Sequence, residues 1–137
     1  MMTMIHSLMA YLVLFFLIFA VLNSLTKWKS GKSFEKKDRT IALLALIFSH
    51  IQLLIGLGAW FNNGYYKIMG DAMKEPALRK LAVEHPFTMI VSIVLITIGW
   101  SKHKKKDTDA AKFKSIAVFY GIALLLILGM IPWNQWF

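Results

Sequence analysis

Three histidines fall inside apolar runs, each in a different one: His6 in MIHSLMAYLVLFF, His50 in ALIFSHIQLLIGLGAW and His85 in VEHPFTMIVSIVLITIGW. Ionisable side chains within such runs are rare, and they face a protein interior or a functional site. A neutral imidazole there has two uses. It can hydrogen-bond a neighbouring helix, or it can give a nitrogen lone pair to haem iron, zinc or copper. Glu84 stands beside His85, and Gln52 lies two residues past His50. The fourth histidine, His103, sits among lysines in SKHKKK and reads as a solvated loop residue.

The elements that must position these rings are four apolar segments, about 5–25, 40–61, 78–100 and 115–133. Each is about 20 residues long, enough helix to cross about 30 Å of hydrocarbon. Backbone polar groups in lipid must be satisfied within their own segment, so these are helices. The third reaches full length only if it starts before Pro86, and a proline in the first turns of a membrane helix kinks it. The expected fold is therefore an all-α membrane protein. Residues 1–137 form one domain, an up-down-up-down four-helix bundle with short connections.

Composition agrees. Apolar residues make up 58% of the 137. There is no cysteine, which excludes thiolate ligands, iron–sulfur sites and covalent c-type haem. The net charge of +9 sits mostly in two clusters, KWKSGKSFEKKDR and SKHKKKDTDAAKFK, each with six Lys/Arg. The connection 62–84 has four Lys/Arg balanced by Asp71, Glu75 and Glu84. By the positive-inside rule the two basic loops are cytoplasmic and both termini lie outside. This places a multi-pass protein in a bacterial inner membrane, its cations marking topology and touching anionic lipid, with no role in nucleic-acid binding. The first segment has no basic residue before Lys27 and no cleavage pattern, so it is a retained helix. Trp28, Trp60, Trp100, Trp133 and Trp136 fall near helix ends, as interfacial tryptophans do.

Counting helical rise from the first basic residue of each span puts His50 about 16 Å from the basic end, His85 about 25 Å and His6 about 31 Å. His6 with His85 is the better match in depth. His50 with His85 places a ligand more securely inside the bundle, because chain ends fray. Around His50, Leu43, Leu46, Ile47, Leu53, Leu54 and Leu57 recur at helical spacing. Arg79 and Lys80 precede His85 by about two turns, where they could meet acidic groups of a bound ligand.

The stretches DRTIALLALIFSHIQLLIG and VEHPFTMIVSIVLITIGWSK, with the terminal IPW, resemble a family of small four-helix inner-membrane proteins of Bacteroidota commonly catalogued as cytochrome B. The resemblance spans nearly the whole chain and implies a four-helix bundle with a b-type haem. The chain departs from the family at its start, where His6 alone stands in place of a fuller histidine-rich motif followed by tryptophan. The expectation is then a membrane b-type cytochrome with haem b held by two of His50, His85 and His6. It would carry electrons between quinol and a respiratory-complex partner, and would be a carrier or subunit more than a stand-alone enzyme. Two alternatives stand beside it. One is a cofactor-free accessory subunit whose histidines bond neighbouring helices. The other is a small transport or metal-binding protein using His6, His85 and Glu84, a set short of the three or four level ligands that zinc or copper takes.

Overall fold

The computed structural model describes residues 2–131, with side chains from Met4 onward. The helices are α1 (Met2–Ser30), α2 (Lys36–Asn62), α3 (Met69–Ala72), α4 (Pro76–Arg79), α5 (His85–Lys104) and α6 (Asp109–Met130). A π-helical turn, Lys80–Glu84, joins α4 to α5 without a break, so Pro76–Lys104 is one rod. Four rods are thus long and apolar enough to cross a membrane, and no strand occurs among the described residues. The chain is an all-α four-helix bundle.

The helices are longer at their basic ends than the apolar segments alone suggest. Asp38, in the first turn of α2, explains one such end. Its buried carboxylate accepts from Lys27 Nζ at 2.6 Å, Asn23 Nδ2 at 3.0 Å and the Glu35 backbone N–H at 2.9 Å. These bonds clamp α1 to α2 across the turn, where Gly31 takes a φ of +68° that costs a glycine little. Thr108 caps α6, its hydroxyl accepting from the Ala111 N–H. Trp133 and Trp136, and the last residues of the expected fourth segment, lie outside the described residues.

Each helix packs against its sequence neighbour, and α1 also packs against α6, closing the ring in the order α1–α2–α5–α6. The α2–α5 seam is the loosest of the four. Leu17, Ile96, Ile116 and Tyr120 fill the middle. Small residues set the spacing: Ala42 and Ala45 are buried on α2, and a Cβ on Gly99 would come within 2.7 Å of Phe119 Cβ. The Tyr120 hydroxyl donates to the Ala42 carbonyl at 2.9 Å, satisfying its polar atom inside the apolar core. Large apolar side chains such as Phe15, Leu54 and Leu125 point outward, which is the arrangement a lipid-facing surface requires.

His103 differs from the sequence expectation. It is buried, not solvated. Phe34, from the α1–α2 connection, folds back over this end of the bundle, and its ring centre lies 5.4 Å from that of His103. Trp100 covers another side at 4.5 Å.

Candidate functional site

The site begins with Pro86. Proline has no N–H, so the carbonyl four residues earlier, that of Ala82, loses its α-helical partner. The chain responds with the π turn, in which the His85 N–H bonds to the Lys80 carbonyl, five residues back. Trp60 of α2 supplies the missing donor: its indole N–H reaches the Ala82 carbonyl at 2.8 Å. Such single π turns recur at functional sites. Here it fixes where His85 leaves the rod.

His85 is held from a second helix as well. Its Nδ1 lies 2.9 Å from the carbonyl of Met130, one of the C-terminal carbonyls of α6 that have no partner within the helix. A carbonyl only accepts, so Nδ1 carries the proton. The lone pair is left on Nε2, the tautomer of a ligating histidine.

His6 meets His85 from α1. The ring centres are 6.2 Å apart and the planes are nearly perpendicular. On its other side the His6 ring rests on Gly56 of α2. A Cβ there would come within 3.0 Å of Cε1 and 3.3 Å of Nδ1. One turn away, Gln52 donates to the His6 carbonyl at 2.7 Å. Two polar atoms at this spot are buried without a hydrogen-bond partner: His6 Nδ1 and Gln52 Oε1.

The pair opens on a cavity of about 260 Å³ between the helices at the end opposite the basic loops. Apart from the two imidazoles and Gln52 its walls are largely apolar, among them Leu53, Trp60, Met89 and Ile127. Asn63 and Tyr65, just past α2, also border it.

His50 is not part of this cavity. It lies on the outer face at the α2–α5 seam, exposed. Its Nδ1 is 2.8 Å from the Leu46 carbonyl of its own helix, and its Nε2 is 3.3 Å from the Thr97 hydroxyl on α5. So both nitrogens have partners. The structure brings His6 and His85 together and leaves His50 apart. Glu84 points elsewhere too, paired with Arg79 at 3.3 Å.

Chemically, the site offers two imidazoles and no third donor. Among the described residues no three His, Cys, Asp or Glu side chains gather closely enough to hold a metal. Two metal–imidazole bonds of about 2.0–2.1 Å on opposite sides of an ion would put ring centres about 6 Å apart; the 6.2 Å found here is compatible with that and is also the spacing of an edge-to-face ring pair. An ion bound here must bring its remaining ligands with it. In the sequence Gly56 is one of several helix glycines (with Gly58, Gly99, Gly121 and Gly129) that let a backbone or a flat group approach closely, whereas the Met130 carbonyl had no signal, because a helix-end carbonyl leaves no mark in residue type. Comparison of the chain with protein-family models, with curated proteins and with solved structures finds no match.

Proposed function

We propose that the His6–His85 pair binds haem b non-covalently and that the protein carries electrons within the membrane. The observation that supports this reading is the pairing itself: two imidazoles from two helices, 6.2 Å apart, at an apolar cavity with no third donor. Zinc normally takes three or four protein ligands and blue-copper sites three or more, whereas a porphyrin supplies four nitrogens of its own. Haem would contribute one-electron redox chemistry, and His6 and His85 would be the residues that hold it.

The chain's own residues do the rest. Met130 fixes the tautomer of His85. The unpartnered His6 Nδ1 and Gln52 Oε1 are a donor and an acceptor, and closing them onto each other would leave the His6 Nε2 lone pair for the iron. Trp60 and Met89 line the cavity and would shield a bound group from water. A macrocycle exceeds the 260 Å³ available, so binding one would require the bundle to open, most readily at its loosest seam, α2–α5. Lys80 is the free cation nearest in sequence for a propionate, since Arg79 is engaged by Glu84 and the Met73 carbonyl. The resemblance to the cytochrome B-type family of Bacteroidota agrees with this reading. So does an inner-membrane placement with the basic loops inside, where a quinol and a respiratory complex would be its redox partners.

The test is a visible spectrum of detergent-purified protein from haem-replete cells. A reduced-minus-oxidised band is expected. His85→Ala and His6→Ala abolish it, while His50→Ala keeps it and costs about 0.6 kcal/mol, up to about 2, of helix association. A colourless preparation refutes the proposal.

A second reading, a cofactor-free accessory subunit, draws on one observation: His50 already behaves as an interhelical hydrogen-bond partner of Thr97. Its signature is co-purification with a larger complex without pigment or metal.

A further inference from the structure

At the other end of the bundle α5 and α6 form a second opening. The two helices touch closely at Gly99, where Phe119 and Tyr120 leave no room for a Cβ. Towards their connection a groove of about 320 Å³ lies beside the two helices. Ala111, Ser115, Val118 and Phe119 form its bed, and Lys102, Lys106 and Lys114 its cationic lining. No carboxylate lines it, and neither ion pair found among the described residues uses these lysines.

The lysines of this segment divide by partner. Lys104 lies over the Trp100 ring at 5.7 Å and Lys112 over Phe34 at 5.6 Å, both on the far side where His103 is buried. Lys102, Lys106 and Lys114 gather at the groove instead, with Lys102 6.0 Å from the Phe119 ring. Three lysine side chains border one cleft, and an anion there would be attracted by all three.

An apolar track leads out of the groove. Val118, Ile122 and Leu125 follow one another at helical spacing on α6 and are 40%, 46% and 70% exposed. A free anion has no use for that stripe, but an acyl chain does. We infer that this groove is a binding site for one anionic phospholipid, its phosphate among Lys102, Lys106 and Lys114 and an acyl chain along Val118, Ile122 and Leu125. Basic pockets between membrane helices take anionic headgroups in this way. The inference is independent of the haem reading, because it uses the opposite end of the bundle.

Native mass spectrometry of the full chain in detergent tests it, with phosphatidylglycerol and phosphatidylcholine of matched chains as probes. Wild type is expected to retain phosphatidylglycerol in preference to phosphatidylcholine. Each lysine contributes roughly fivefold, so K102Q/K106Q/K114Q binds about a hundredfold more weakly. K29Q/K32Q/K36Q, which removes the same charge from the other basic loop, retains the lipid. Equal loss in both triple variants overturns the site, because diffuse charge then explains the binding. Equal retention of the two lipids also overturns it. Millimolar inorganic phosphate that displaces phosphatidylglycerol overturns the lipid assignment in favour of a simple phosphate site. Should the triple variant not purify, K114Q alone decides: a roughly fivefold loss supports the site and unchanged affinity refutes it.

Discussion

Gly56→Ala separates the histidine pair from the bundle that carries it. In a helix interior, alanine is better than glycine by about 0.8–1 kcal/mol, so in open space the change would stabilise α2. The space is not open. The new methyl would lie 3.0 Å from His6 Cε1 and 3.3 Å from Nδ1, against about 3.5–4.0 Å for a relaxed contact. The imidazole must therefore retreat by about half an ångström, the whole tolerance of a preorganised site. His6 is in the first two turns of α1, where the helix can yield with little loss of core contact. The expected outcome is a folded protein whose thermal stability without haem changes by no more than about 1 kcal/mol. Its haem affinity falls at least tenfold, because the 6.2 Å spacing to His85 is lost. Haem titration followed by absorbance, alongside a melting curve, reads both. Gly129→Ala is the control, since nothing lies within 4 Å of its added methyl. If Gly56→Ala takes up haem as wild type does, His6 is not a ligand and the proposed pair is wrong.

Trp60→Phe keeps the ring but removes the indole N–H, leaving the Ala82 carbonyl unsatisfied beside the π turn; a melting curve should show a loss of about 1–3 kcal/mol. Asp38→Ala strands Lys27 and Asn23 at the α1–α2 clamp, and a loss of about 1–3 kcal/mol is expected because the carboxylate is buried while Lys27 is only half-buried. Protease nicking near Gly31 should rise with it.

The four spans and their neighbour order were legible because each carries its own evidence. An apolar run of membrane length is a local property, and short connections make successive helices adjacent. His103 was not legible. Its lysine-rich surroundings are those of a solvated loop, and nothing local says that Phe34, 69 residues earlier in the chain, closes over it. The placement of Pro86 near the start of a longer rod was readable. The Trp60 bond to Ala82 was not, since it joins two helices across the longest connection.

The helical-rise count matches His6 with His85 in depth and sets His50 deeper, but it leaves His6 and His85 about 6 Å apart, and the reason for that remainder is geometric. Counting rise from the first basic residue of each span treats those residues as level, but lysines reach water from various depths. In a hairpin of two helices, residues equidistant from the turn are level, and this rule needs no boundary. Lys27 faces Asp38 across the first turn, and further along Phe16 stacks on Phe48 with ring centres 5.1 Å apart. Followed to the end of the rods, the same register brings His6 to Gly56. Trp60 meets Ala82 across the next connection, which carries that level on to His85. His50 lies six residues short of Gly56, about 9 Å along α2 by helical rise, and its ring reaches Thr97, twelve residues beyond His85 on α5. It is therefore the hairpin register that joins His6 to His85 and separates both from His50. Any change that slips α1 against α2, such as loss of the Lys27–Asp38 clamp at the far end, should disturb the histidine pair about 30 Å away. Reduced haem uptake by Asp38→Ala would show that coupling, and undiminished uptake would mean that the histidine end keeps its register unaided.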